Sequence, residues 1–464
     1  MSKLARLTLL KRLSNAVLGL SAAALIISCA PAGTSTPTGA NEKASKSLAK
    51  NVILFIGDGM GISTITAARI FDGQSQGKNG EEHQLAFETF ENVALVKTYN
   101  TNAQVPDSAG TATAILSGYK TNIGAVNVPP ALLKARSADV CNPDALPPTL
   151  TKRAHDANKS VGIISTARIT HATPAAMYSH TPLRDLEADK DIQGPFVGCK
   201  SIAQQMIESQ AELILGGGTK EFSKAQIETL KTDFIYAANK SEMMNAEAGK
   251  LRGLFSASHM SFEADRSETE EPSLAEMTSI AIDRLSKDED GYILMIEAGR
   301  VDHAHHGINA YRALTDMQAL NEAVKIANAK AGEDTLIMVT ADHSHVFTMA
   351  GYPVRGNPIL GLAKGFNPET RKIEIIKDQN GKPYTTLGYH NGPNVRTADS
   401  PALTDNMVQA KDFRQQTAVN LGSETHAGED VPLYATGPGA ENVRGVMEQN
   451  TIYNVMAKAM GWEE

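Results

Sequence analysis

The chain has 464 residues, 42% of them apolar and 21% charged, with a formal net charge of −8. That apolar share excludes a disordered chain. The acidic balance argues against nucleic acid as a partner, because phosphate backbones are bound by clustered lysine and arginine.

The length suits one large α/β domain carrying an insertion. Residues 1–29 read as a secretory signal. Lys3, Arg6, Lys11 and Arg12 precede an apolar run over 13–27 that is too short for a secure membrane span. The run closes on Ile26-Ile27-Ser28-Cys29, similar to a bacterial lipoprotein box. The expectation is an exported protein, periplasmic or at the cell surface, lipid-anchored at Cys29. Losing this segment removes four positive charges and no negative one, so the body would carry −12. Any anionic substrate must then be held by local charge. Residues 30–50 are small and polar and read as a flexible tether. Cys141 and Cys199 remain, and in an exported protein they read as a disulfide or as two buried thiols.

The first strand is predicted over 51–56, NVILFI, ending in Gly57-Asp58-Gly59-Met60-Gly61, with a helix over 62–71. A strand over 94–98 leads to Pro106-Asp107-Ser108-Ala109-Gly110-Thr111. The small residues there predict a helix packed against a neighbour, with Ser108 at its N-terminus, where N–H groups favour an anion. An ordinary N-cap serine is the alternative. A helix over 146–158 and a strand over 160–166 follow, then Arg168-Ile169-Thr170-His171-Ala172-Thr173-Pro174 and Arg184. Residues 213–215 form a further strand, whereas 221–272 are polar and mixed and give no clear order.

A helix over 273–286 precedes the buried strand 292–296, which stops abruptly at Glu297. Asp302 and His306 are four apart, so a helical turn puts both on one face. A long helix over 310–330 leads to the strand 335–341, ending in Asp342-His343. Residues 346–424 are rich in glycine, proline, asparagine and tyrosine and read as an inserted subdomain. Thr425-His426-Ala427-Gly428 and a helix over 451–460 close the chain. Alternating strands and helices imply a largely parallel sheet covered by helices on both faces, with ligands outside the carboxyl ends of its strands. Asp58, Glu297 and Asp342 each end a strand. Carboxylates gathered there repel one another unless cations lie between them.

GDGMG (57–61), DSAGTAT (107–113), THATPA (170–175), Arg184, EAGRVDHAHH (297–306), TADHSH (340–345) and THAGED (425–430) stand in an order and spacing similar to those of the alkaline phosphatases. The resemblance covers about residues 50–460. It implies an α/β catalytic domain over 51–460 with a crown-like insertion at about 346–424. It further implies hydrolysis of phosphate monoesters through a phosphoserine intermediate at two zinc ions and one magnesium. Zinc in the first site would be held by Asp302, His306 and His426, and in the second by Asp58, Asp342 and His343. Magnesium would be held by Asp58, Thr173 and Glu297. Ser108 would be the nucleophile, activated by the second zinc since no histidine adjoins it in sequence, and Arg184 would fork onto the phosphate. His171 and His303 resemble the animal-type and certain marine bacterial members, whose histidines lie just outside the ligands, and zinc becomes an alternative occupant of the third site. Cys141 and Cys199 match a disulfide of the animal-type enzymes in relative position. Ser256 stands where those enzymes carry a calcium-binding carboxylate, with Glu271 left as one ligand, which counts against a fourth metal. A homodimer is the family's common assembly.

His83, His155, His180, His259 and His390 receive no role, and His305 and His345 read as structural. Two other functions compete. One is a related metal-dependent phosphodiesterase or sulfatase, the other a zinc-binding surface lipoprotein without catalysis. The latter would need neither Ser108 nor Arg184.

Overall fold

The computed structural model describes residues 48–135 and 138–462. The signal segment, Cys29 and most of the tether lie outside the described residues. The body begins with Ala49, whose N–H donates to Ala459 O at 2.8 Å, inside the stretch read as tether.

The central sheet takes eight strands in chain order: β1 Asn51–Gly57, β2 Asn92–Lys97, β3 Ser160–Arg168, β4 Leu213–Gly217, β5 Ile235–Ala237, β6 Leu251–Leu254, β7 Tyr292–Ala298 and β8 Thr335–Ala341. Val431–Thr436 and Gly445–Glu448 complete it. From β8 the order runs β1, β7, β3, β4, β6, β5, all parallel. On the other side of β8, Val431–Thr436 pairs antiparallel with both β8 and β2, and Gly445–Glu448 lies parallel to β2 at the edge.

Every residue of β1, β7 and β8 is buried. Such near-continuous apolar runs belong to strands covered on both faces, and fully burying each large apolar side chain contributes about 1.5–3 kcal/mol. The helix Ala310–Lys330 packs on β1, on β7 and on the helices Ile62–Ser75 and Leu274–Leu285. Ser273 caps the last of these, accepting from Glu276 N at 3.2 Å, in a reciprocal capping box.

Outside the main sheet, Phe347–Met349, Leu387–Gly392 and Gln416–Asn420 form a three-stranded sheet. A hairpin joins Lys364–Asn367 to Lys372–Ile375. Ser344–His345 pairs antiparallel with His426–Ala427, which brings the two ends of the expected insertion together beside β8. Cys141 and Cys199 form a disulfide. No helix among the described residues is long and apolar enough to cross a membrane.

Candidate active site

Register assembles the acidic groups. Gly57 of β1 lies opposite Ala298 of β7 and Ala341 of β8, so Asp58 and Asp342 leave adjacent strands side by side. Glu297 pairs with Ile56 on one flank and with Ser165 of β3 on the other. Asp58, Glu297 and Asp342 are fully buried. Gly59 makes the turn after β1. Its φ of +71° favours glycine, and a Cβ there would stand 2.3 Å from the His345 ring. Its N–H donates to Asp342 Oδ1 at 2.9 Å, as does His343 N at 2.8 Å.

Both oxygens of Asp58, Oε1 of Glu297 and Oγ1 of Thr173 are buried without a hydrogen-bond partner. Ser165 donates to the other Glu297 oxygen. Burial, then repulsion from Asp342, Asp302 and Glu297, raises Asp58 well above the usual carboxylate range. Glu297 is pushed up to about 7 mainly by burial, and Asp342 is raised for the same reason. Orphaned, mutually repelling oxygens of this kind are what a hard divalent cation satisfies.

A second group gathers on the helix Arg300–His306. Asp302 Oδ1 lies 3.3 Å from Nε2 of His306 and 3.3 Å from Nε2 of His426, and these two nitrogens are 3.1 Å apart. Nδ1 of His306 faces Glu424 O, and Nδ1 of His426 faces Pro106 O, each at 2.8 Å. A carbonyl only accepts, so Nδ1 carries the proton in both rings and each neutral Nε2 presents a lone pair. Two lone pairs and a carboxylate aimed at one point fit zinc. Burial alone would raise Asp302, but the three imidazoles around its Oδ1, those of His306, His345 and His426, prevail and hold it well below its usual range. His345 Nε2 reaches Asp302 Oδ1 at 2.8 Å and its Nδ1 reaches Glu424 Oε2 at 2.7 Å. Burial would lower His345, yet these partners push it up to about 10.

His343 Nε2 lies 3.2 Å from Asp342 Oδ2 and 3.4 Å from Asp58 Oδ1. It also lies 3.1 Å from Ser108 Oγ, a neighbour 235 positions away that the local sequence cannot reveal. Burial, with His426 next, keeps His343 well below its usual range and neutral. Ser108 opens the helix Ser108–Ser117 and is buried. Asp107 is its N-cap, with Oδ1 accepting from Gly110 N at 3.1 Å and from Asn100 Nδ2 at 2.9 Å. The same carboxylate takes Arg184 Nη1 at 3.2 Å on Oδ2, so helix start and guanidinium are fixed together. Sequence reading gave Asp107 no task, because its partner lies 77 positions on.

Arg184 Nη2 lies 3.0 Å from His171 Nε2. A guanidinium only donates, so His171 accepts there and carries its proton on Nδ1. Burial, then the adjacent Arg184 charge, holds His171 well below its usual range. His303 follows Asp302 and is lowered to about 3, chiefly by burial. The rings of His171 and His303 are 5.4 Å apart, and His259 joins them at 4.0 Å from His303, a residue the sequence left without a role.

Most of the expected ligands fall within three groups of donor side chains in coordinating reach, Asp302, His306, His345 and His426; Asp58, His171 and Glu297; and Asp58, Asp302 and His343, whereas Asp342 is in none of them and His345, expected to be structural, joins the first. A cavity of about 1060 Å³ lies instead beside the disulfide and is lined by none of these residues. Of the two residues weighed for a fourth metal, Ser256 Oγ donates to Ser258 O at 2.8 Å, and Glu271 accepts from Ser261 N at 2.8 Å. Other histidines have local partners: His83 with Asp72, His155 with Glu212, His180 with Pro147 O, and His305 with Thr64 and Tyr389.

Comparison with known proteins agrees with this assembly. Residues 49–462 match the family model described as alkaline phosphatase. The chain is 40% identical over 456 residues to the tissue-nonspecific alkaline phosphatase isozyme of Rattus norvegicus, covering 90% of this chain and 85% of that one. It is 38% identical over 458 residues to an alkaline phosphatase of Gadus morhua, covering 89% and 92%. Among solved structures, alkaline phosphatase from the Antarctic bacterium TAB5 aligns at 24% identity with a TM-score of 0.63, covering 90% of this chain and all of that one. The Thermus thermophilus enzyme aligns at 24% and 0.65, covering 93% and 96%. At that identity these structures speak to the fold.

Proposed function

The chain belongs to the alkaline phosphatase family and hydrolyses phosphate monoesters with metal cofactors; from that premise we propose which residues do so. The reading rests on one observation. Unpartnered oxygens of Asp58, Glu297 and Thr173, and the paired Nε2 atoms of His306 and His426, converge beside a hydroxyl at a helix start. Asp302, His306 and His426 would hold one zinc, Asp58, Asp342 and His343 a second, and Asp58, Thr173 and Glu297 a magnesium. His171 beside the last set makes zinc an alternative there. When bound, the cations supply Lewis-acid charge that lowers the pKa of oxygens beside them and neutralises phosphate.

Arg184, steadied by Asp107 and His171, forks onto two phosphate oxygens. The N–H groups opening the helix Ser108–Ser117 add partial positive charge at the same place. Ser108 Oγ attacks phosphorus as the bond to the alcohol oxygen breaks, leaving a phosphoserine and releasing the alcohol. Water then attacks that phosphorus, returns the serine hydroxyl and frees inorganic phosphate. His343 has a single lone pair on Nε2. As a ligand it cannot also take the Ser108 proton, so it does not act as base.

We further propose export through the 1–29 signal, lipid anchoring at Cys29 on a periplasmic or surface-facing membrane, and a homodimer. The Cys141–Cys199 disulfide supports an oxidising compartment. One assay tests the site. Wild type and Ser108→Ala are given an aryl phosphate monoester and the matching diester, with and without chelator. Chelator-sensitive monoester turnover lost in the variant is expected. Preferred diester cleavage would point to a phosphodiesterase, and zinc uptake without turnover to a binding protein.

A further inference from the structure

His259 lies on the loop after β6, in the stretch from which the sequence gave no order. That loop is tied to the strand ends around the site, with Met260 N donating to Thr166 O at 3.0 Å and Gly218 N to Ser256 O at 3.0 Å. Its ring stands 4.0 Å from that of His303, tilted by 49°, and 5.4 Å edge-on from that of His171. From behind, Arg168 Nη1 lies 2.6 Å from His259 Nε2. Arg168 is itself clamped by Glu187, through Nε at 2.8 Å and Nη2 at 2.5 Å.

His303 has no comparable restraint, since its buried Nδ1 has no hydrogen-bond partner. What fixes its ring is packing. His259 fills the gap between the turn carrying His171, which braces Arg184, and the helix carrying Asp302 and His303. His259 is half-buried and both its ring nitrogens face Arg168, Nδ1 at 3.2 Å from the backbone N and Nε2 at 2.6 Å from Nη1, so its ring is held in place on one side while its face packs on His303. We infer that His259 is a positioning residue for phosphate binding, holding the His303 and His171 rings in place without touching substrate. The inference rests on the reading of Arg184 as the phosphate clamp.

The test compares His259→Ala and His259→Phe with wild type, all loaded with zinc and magnesium. It measures kcat and KM for p-nitrophenyl phosphate, inhibition by inorganic phosphate, and the thermal midpoint. Loss of a group that orients site residues typically lowers activity about tenfold or more. His259→Ala is expected to lose about tenfold in kcat/KM and to bind phosphate correspondingly more weakly, with its midpoint little changed. His259→Phe, which keeps a ring against His303, is expected to recover to within about threefold of wild type. An alanine variant with wild-type constants would overturn the proposal. Equal losses in both variants, or losses matched by a collapsed midpoint, would do the same. Wild type indifferent to phosphate would sink the clamp reading and this proposal together, whereas a normal His259→Ala sinks the proposal alone.

Discussion

Replacing Asp58 by Asn tests the electrostatic argument, because it removes a charge while nearly preserving shape. Both Asp58 oxygens are buried and unpartnered, and Asp342, Asp302 and Glu297 add their repulsion to the cost of burial. Stripped of cations, the protein carries this carboxylate as a liability; loaded, it uses the same group as a ligand. A buried group left unpaired costs about 1–3 kcal/mol and more when charged, so the neutral amide, equally unpaired, recovers the extra cost of the charge, on the order of 2 kcal/mol. With an unfolding entropy of about 2.1 cal/mol/K per residue over roughly 400 residues, about 2 kcal/mol moves the midpoint by roughly 2–3 °C. Stripped Asp58→Asn should melt higher than stripped wild type by about that amount. Cations reverse the order. A site filled at a thousand times its Kd adds about 4 kcal/mol, or roughly 5 °C on the same scale, and the variant weakens two such sites. Calorimetry with chelator and with saturating zinc and magnesium, run beside a turnover assay, reads both signs. A variant that melts below wild type in both states, or that keeps the full response to metal, would refute the reasoning.

Ser108→Ala should lose at least about three orders of magnitude in kcat and any burst of released alcohol, while still binding phosphate; retained phosphoenzyme would contradict it. Arg184→Lys keeps the charge and loses the fork, so it should cost about 1.5–3 kcal/mol in kcat/KM, with phosphate inhibition weakened in step. Cys199→Ser opens a cross-link between positions separated by 58 residues. The loop-closure relation gives about 4 kcal/mol for it, roughly a 5 °C lower midpoint by calorimetry, and an unchanged midpoint would argue against the bond. Asp316 is buried and pushed up to about 8, mainly by burial. Its folded pKa lies above its unfolded value, so the native state holds an extra proton and stability falls as pH rises from about 4 to about 8. Asp316→Asn should therefore gain on wild type across that window in denaturant titrations, and parallel curves would sink the argument.

The strands that carry the site were legible because they are buried on both faces. NVILFI, YILMI and TLIMVTA are near-continuous apolar runs, and each is followed by a residue that does not belong in a core. β5 and β6 escaped notice because β6 is four residues long and contains Arg252, fully buried over the Phe234 ring at 4.1 Å. Val431–Thr436 was hidden by Pro432 and by its antiparallel course, which no strand–helix alternation announces. In the site, helical spacing alone brought Asp302 and His306 together. The contacts of Asp107 with Arg184, His343 with Ser108, and His259 with His303 span dozens to hundreds of positions and exist only once the sheet register is set. A lone histidine between Ser258 and Met260, as His259 is, offers no pattern to read.

The account stands most directly on where cations bind. A crystal of the protein grown with zinc, measured at the zinc absorption edge, should show one anomalous peak about 2.0–2.2 Å from Asp302, His306 and His426 and another at that distance from Asp58, Asp342 and His343. Zinc found elsewhere, with these side chains paired only to one another, would contradict it.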